Sequence, residues 1–463
     1  MRFSTDSSWR RPESGDSVLA GSPVRAFRLT PAGKRIIEAI ERGDDIQAGD
    51  NPLVDKLLDA GAIHPLPDHD LHGIDPKDIT VVIPTYVDDP STDARLASLV
   101  SGLSGVSRVI VIDDHSPVPL PTLTADSSEV LVVRGEVNGG PAAARNTGLS
   151  LVETSHVAFV DTDVVCSVDE LTALGAWFTH PRTVAIAPRV RSIGGNSTIE
   201  RYESTCSPLD AGVLPARVRP GSRVPYVPAA ALLCRTDALR SVGGFDESMR
   251  TGEDVDLVWR LDAAGFHCRY EPAVEVGHHP RVGFAAFVAQ RRGYGSSVSG
   301  LHRAHGGAVA PLRGTWTNIG AWTSVVIGLP IIGVSLAVVT AVRLARRLQF
   351  VPNAKAESVR IALRTHLRTG RNVADAITKV WWPIALVLAL FSRRARVALG
   401  AAVLAPALVD WWNERPRLDP VRYVFMRVVD NASYGIGAWE SAVRDRSVAA
   451  LLPEVVSSSS TEG

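Results

Sequence analysis

Cysteine is scarce. The chain has four in 463 residues, Cys166, Cys206, Cys234 and Cys268. None forms a CxxC pair and no histidine stands at zinc-finger spacing, which excludes a disulfide framework or a zinc module as the source of stability. The four read as reduced, mostly buried thiols. Net charge is absent as well, because 49 Lys plus Arg balance 49 Asp plus Glu. A general nucleic-acid binder needs a basic excess, so no nucleic-acid partner is expected. Residues 1–11 carry no apolar h-region, so no secretory signal is read there and the catalytic part is expected on the cytoplasmic side. No GxGxxG follows any strand-like run, which leaves a dinucleotide-binding fold unsupported.

What is present divides into three regions, as expected for a chain too long for one ordinary domain. Residues 1–76 read as a small α+β unit of winged-helix size. Val24-Arg25-Ala26-Phe27-Arg28-Leu29 alternates like a strand, and Thr30-Pro31 opens a helix with Thr as N-cap. A second helix is expected over residues 52–60, stopping at Gly61. Residues 77–310 alternate apolar runs (79–83, 108–112, 130–133, 157–160) with helical segments (94–103, 142–152). Continuous apolar runs suit parallel strands covered on both faces, so a doubly wound, mostly parallel α/β sheet is predicted.

Residues 311–463 change character. Residues 319–342 are uncharged and long enough to span a bilayer, although Pro330 and Gly333 interrupt them, so a bent or re-entrant helix is an alternative. Residues 380–391 and 397–412 are apolar but short, and Trp381-Trp382 and Trp411-Trp412 bracket them like interfacial anchors. Arginines flank residues 319–342 on both sides, so a hairpin returning to the cytoplasm or a monotopic helix fits better than one crossing; a buried soluble bundle is the alternative. The tail Ser457-Ser458-Ser459-Ser460-Thr461 is expected to be disordered.

The middle region carries the chemistry. The run ending at Val160 is followed by Asp161-Thr162-Asp163. Carboxylates at i and i+2 of a strand point the same way and repel unless neutralised. Hard oxygens at a sheet rim favour Mg²⁺ or Mn²⁺, which also takes oxygens from a substrate phosphate. A solvated Asp pair at a strand exit is the plainer alternative. Pro84-Thr85-Tyr86 ends the first strand, and Asp113-Asp114-His115-Ser116 ends the second, where either Asp can accept from a base or a ribose. Asn138-Gly139-Gly140 then opens a helix that carries Arg145, a nucleotide contact or an ordinary surface arginine. Glu253-Asp254 stands at the start of another helix, where the dipole favours ionised carboxylates; that suits a base, and suits plain helix stabilisation equally. His278-His279 offers imidazoles to a metal. Arg291-Arg292 offers guanidiniums to a diphosphate or to lipid headgroups.

Val82-Ile83-Pro84-Thr85-Tyr86, Asp113-Asp114, residues 138–146, Asp161-Thr162-Asp163, Gly243-Gly244-Phe245-Asp246-Glu247 and Glu253-Asp254, in this order, resemble the family 2 glycosyltransferases of GT-A fold. The flanks, Leu19-Ala20-Gly21-Ser22-Pro23 with residues 28–33 and residues 278–297, are similar to the mycofactocin-system glycosyltransferases over most of the chain. The resemblance implies transfer of glucose from UDP-glucose to a mycofactocin-type acceptor or its precursor, extending a β-1,4-linked oligosaccharide; the apolar C-terminal region and the absence of a secretory signal put the expected location at the cytoplasmic face of the membrane. It implies Asp163 as ligand of the divalent metal, Asp161 nearer the sugar or ribose, Asp254 as general base, and a downstream histidine, His278 or His279, completing the metal site. Pro84, Thr85, Tyr86, Asp113, Asp114, Asn138, Gly139 and Arg145 then fall on the nucleotide-sugar, and Glu253, Arg291 and Arg292 toward the acceptor or diphosphate. Processive synthases of the family carry QxxRW, whereas this chain has Gln290-Arg291-Arg292-Gly293-Tyr294, which weakens a reading as a polymer synthase. A cell-envelope polysaccharide or glycolipid transferase is the alternative with the same sites. A non-enzymatic peptide-binding scaffold leaves Asp161, Asp163 and Asp254 unexplained.

Overall fold

The computed structural model describes residues 1–12, 15–46, 51–67, 73–87, 90–120, 122–281 and 283–456; the serine tail lies outside the described residues. The apolar runs form one end of a single sheet. Strands Ile79–Thr85, Arg108–Asp113, Glu129–Arg134 and His156–Val160 lie parallel, with the first of them between Arg108–Asp113 and His156–Val160.

The expectation of a mostly parallel sheet is corrected beyond that point. Strand Ala231–Arg235 inserts antiparallel to both His156–Val160 and Thr183–Ser192. His267–His278 runs parallel to Thr183–Ser192, while Ala216–Val218 and the short Val164–Val165 pair antiparallel to it. The sheet is therefore mixed. A βαβ crossover imposes parallel pairing only while each strand is followed by a covering helix. After helix Thr198–Cys206 the chain instead runs largely irregularly through residues 207–230 and re-enters the sheet from the opposite rim.

Both faces are covered. Leu96, Leu99, Leu171 and Leu174 from helices Pro90–Gly102 and Val168–Gly175 pack on one side. Ala142, Leu149, Leu257, Val258 and Leu261 from helices Pro141–Ser150 and Glu253–Ala263 pack on the other.

The N-terminal region contains both strands and helices. Strands Ser17–Ala20 and Arg25–Arg28 form a hairpin, and Phe3–Thr5 pairs with Ile63–Pro65. Thr30 caps helix Pro31–Arg42 by accepting from the Gly33 amide, and Asn51 caps Pro52–Asp59. The unit is tied to the sheet by charge. Asp59 meets His267 at 2.9 Å, Arg217 at 3.0 Å and Arg182 at 3.1 Å.

The C-terminal region is helical, but residues 319–342 are not one span. The helix breaks between Trp316–Val326 and Pro330–Arg347, where Gly328 takes a φ of +88° that an L side chain rarely adopts. Arg393–Glu414 is the helix among the described residues that is long and apolar enough to cross a membrane; a second candidate, Ala354–Lys379 with Trp382–Phe391, is bent by 87°. The four tryptophans do not act alike. The Trp381 and Trp411 indoles donate inward to Leu451 and Leu418 carbonyls, while Trp412 is exposed. Helix Pro420–Arg444 packs on helix Phe284–Ser296 so closely that a Cβ on Gly437 would meet the Arg292 carbonyl oxygen at 1.9 Å, and one on Gly295 the Tyr434 oxygen at the same distance.

Candidate active site

The parallel strands end on one rim, so Tyr86, Asp113-Asp114 and Asp161-Thr162-Asp163 arrive together there. The reversed strand brings residues 227–230 to the same rim, where the Asp161 amide donates to the Ala230 oxygen at 2.9 Å. The pairing of Val164–Val165 with the end of His267–His278 sets His278 opposite Val164. That register carries a histidine over a hundred residues away in sequence onto the second aspartate.

Arg145 is the hub. It is buried, and its guanidinium donates to Asp161 Oδ1 at 2.7 Å and to Glu253 Oε1 at 2.6 Å, with the Phe245 ring 5.5 Å away. It is neither a surface arginine nor a free nucleotide contact; it locks the aspartate motif to the Glu253-Asp254 helix. Burial alone would lower its pKa, but Asp161 and Glu253 raise it, so it stays charged.

Glu253 and Asp254 separate by environment. Burial and the neighbouring Asp254 charge push Glu253 up to about 7, with Arg145 opposing. Asp254 is also raised by burial, against Arg145 and backbone amides. Its Oδ1 accepts from the Val255 amide at 2.8 Å and its Oδ2 from the Ala229 amide at 3.4 Å, with no side-chain partner among the described residues. A carboxylate oriented by backbone and untied to a cation can accept a proton; Glu253 is occupied by Arg145. Tyr226 and Tyr294 lie within reach of the Asp254 charge.

Asp163 behaves differently. Burial would raise it, but His278 and then Arg281 lower it overall, so it is an anion. His278 Nε2 lies 3.3 Å from Asp163 Oδ2, and the buried Nδ1 has no hydrogen-bond partner. His279 contributes its backbone instead, its amide donating to the Asp163 oxygen at 2.8 Å. His278 is thus the histidine whose ring meets Asp163. Among the described residues no group of three or more His, Cys, Asp or Glu is arranged to hold a metal. A carboxylate and an imidazole alone fit an ion that takes its remaining oxygens from a diphosphate, as Mg²⁺ commonly does.

The other expected residues are placed less directly. Asp113 is buried, accepting from the Ser116 amide at 2.8 Å and from Arg134 at 2.5 Å. It organises the loop and is not open to a nucleotide. Asp114 accepts from the Gly139 and Gly140 amides at 2.7 and 2.9 Å, and Arg250 holds Asn138. Pro84 is half-buried, Thr85 buried, and Tyr86 exposed at the rim. Arg291 does not face a diphosphate. It is buried between Glu203 and Asp430, over the Phe287 ring, and ties the sheet domain to helix Pro420–Arg444. Arg292 pairs with Glu440 on the surface at 2.7 Å. Arg134, Glu203, Arg250 and Asp430 were missed. Their only signal is pairing across long separations, such as Asp113 opposite Arg134 in register, which no local pattern displays.

The family described as Glycosyl transferase family 2 matches residues 80–240. The chain is 36% identical over 456 residues to the pre-mycofactocin glycosyltransferase of Mycobacterium tuberculosis, covering 95% of each. It is 24% identical over 204 residues to the poly-beta-1,6-N-acetyl-D-glucosamine synthase of Staphylococcus aureus, covering 42% of this chain and 48% of that one. Among solved structures it is similar to the mannosyltransferase PcManGT of Pyrobaculum calidifontis in complex with GDP-Man and Mn²⁺, at 14% identity and a TM-score of 0.38, over 66% of this chain and 89% of that one.

Proposed function

The chain belongs to glycosyl transferase family 2, in the family of the pre-mycofactocin glycosyltransferases, and from that premise we propose that it transfers glucose from UDP-glucose to a mycofactocin-type acceptor, building a β-1,4-linked oligosaccharide. The observation that carries the reading is the Arg145 fork. It hydrogen-bonds Asp161 and Glu253 together and not Asp254 or Asp163, two carboxylates with different electrostatics. The 95% coverage supports the acceptor assignment, because the likeness extends over the flanking regions and not the sheet domain alone.

In this reading Asp163 and His278 would hold a Mg²⁺ or Mn²⁺ ion, which would neutralise the donor diphosphate. Asp254 takes the proton of the acceptor hydroxyl as that oxygen attacks the anomeric carbon, a role worth about 10²–10⁴ in rate. Arg145 keeps Asp161 at the rim facing the sugar or ribose. Attack from the side opposite UDP inverts an α-linked donor to a β-product, and no protein nucleophile is needed.

The protein works at the cytoplasmic face of the membrane in this proposal. Exposed Ile331, Leu390, Phe391, Val397 and Trp412 form apolar surface in the C-terminal helices that a lipid interface covers. Incubating the full chain with UDP-glucose, UDP-galactose or GDP-mannose and the mycofactocin precursor, with Mn²⁺ or with chelator, tests the function by mass. One or more added hexoses from UDP-glucose with Mn²⁺ are expected. Turnover only with another donor, or only on a lipid or polysaccharide acceptor, would overturn the assignment.

A further inference from the structure

A groove of about 740 Å³ lies between helices Pro330–Arg347 and Ala354–Lys379, far along the chain from every residue of the candidate active site. Small-molecule sites typically enclose about 300–1,000 Å³. The sequence explains why the helices leave it open. Ala337, Ala341 and Ala345 recur every fourth residue and share one face, so methyl groups stand where larger side chains would close the gap. The opposite wall is apolar and exposed, with Val359 and Leu363.

The two ends differ. At the tip of the helical hairpin stand Arg346 and Lys355, both exposed, and among the described residues no acidic side chain lines the groove. From Arg346 back to Val334 the helix rises about 18 Å, the reach of a long acyl chain. At that inner end His366 is buried and its Nε2 has no hydrogen-bond partner, while its carbonyl accepts from the Trp322 indole.

We propose that the groove binds one acyl chain of an anionic phospholipid, with the lipid phosphate on Arg346 and Lys355. An apolar trough with a cationic mouth matches an amphiphile with an anionic head, and the surrounding surface, with Ile331, Val338 and Leu367 exposed, matches the lipid from which it comes. The site is independent of the glycosyl-transfer reading.

Native mass spectrometry of the full chain in nonionic detergent, with phosphatidylglycerol or phosphatidylcholine of identical acyl chains, tests it. One phosphatidylglycerol per chain is expected, with phosphatidylcholine retained at least tenfold less. Ala341→Trp fills the trough and abolishes retention. Arg346→Glu with Lys355→Glu, surface changes that leave the packing intact, lowers phosphatidylglycerol to the phosphatidylcholine level. Arg364→Glu with Arg368→Glu, cations outside the groove, leaves retention unchanged. Equal retention of both lipids, equal loss in the Arg364/Arg368 variant, or full retention in folded Ala341→Trp overturns the proposal. So does a lipid-free dimer that Ala341→Trp dissociates, because a second copy is then the occupant. Transfer assays on the same samples separate the two readings: intact transfer with no lipid retention refutes the groove alone.

Discussion

Arg145→Met removes the cation that joins the two acidic motifs. The Arg145 and Glu253 side chains are 5% and 8% exposed, and Asp161 is 31% exposed. Removing one partner of a buried ion pair costs about 3–5 kcal/mol, because the remaining charges stay desolvated. For a domain of this size that is a fall in Tm on the order of 10 °C. The loss has a definite pH dependence. Burial already raises both carboxylates, Glu253 to about 7, and without Arg145 both rise further. An acid whose folded pKa exceeds its unfolded value binds its proton more tightly when folded, so stability is retained at low pH and lost as pH rises through the folded pKa. The variant should therefore lie closest to wild-type stability at about pH 5, below the Glu253 value of about 7, and fall further behind at about pH 9, above that value. Urea or thermal denaturation at both pH values measures this. A deficit of equal size at both, or none at either, would refute the electrostatic account of Arg145. Arg145→Lys retains the charge but not the fork and should fall between.

The remaining predictions follow from the same geometry. Asp254→Asn should lower kcat by about 10²–10⁴ with little change in UDP-sugar affinity, whereas Glu253→Gln, which still accepts from Arg145, should keep most of its transfer; the reverse pattern assigns the base to Glu253. Asp163→Ala should abolish Mn²⁺-dependent UDP binding by calorimetry, His278→Ala should weaken it, and His279→Ala should leave it nearly unchanged, because His279 reaches Asp163 through its backbone amide. Gly437→Ala should cost about 1–3 kcal/mol by forcing a methyl against the Arg292 carbonyl, read by urea denaturation; a neutral result means the two helices are not in close contact. Leu390→Asp with Phe391→Asp should move the protein from the membrane to the soluble fraction, and unchanged fractionation removes these side chains from any membrane contact.

Much of the fold is written locally. The runs at residues 79–83, 108–112, 130–133 and 157–160 became strands within one or two residues of expectation, because short unbroken apolar runs suit a strand in a covered sheet, although Glu129–Arg134, at the sheet edge, is only partly buried. Thr30-Pro31 and Pro52 start their helices where expected, since caps act within one turn. The acidic motifs, Asp161-Thr162-Asp163 and Glu253-Asp254, were legible for the same reason: each is a short pattern at an element boundary. Three things were not. Strand direction beyond residue 192 depends on which rim the chain re-enters, so the mixed sheet was read as mostly parallel. The bend foreseen from Pro330 and Gly333 falls just ahead of Pro330, at Gly328, because a positive φ is a backbone property that hydropathy does not display. Arg145, Arg291 and His278 each carry side chains that two readings fit, and only the partner decides between them. Sequence supplied residue types and local conformation; tertiary structure chose which charges meet, since a pair such as Arg145 and Glu253, 108 positions apart, exists only when the chain between them has folded into register.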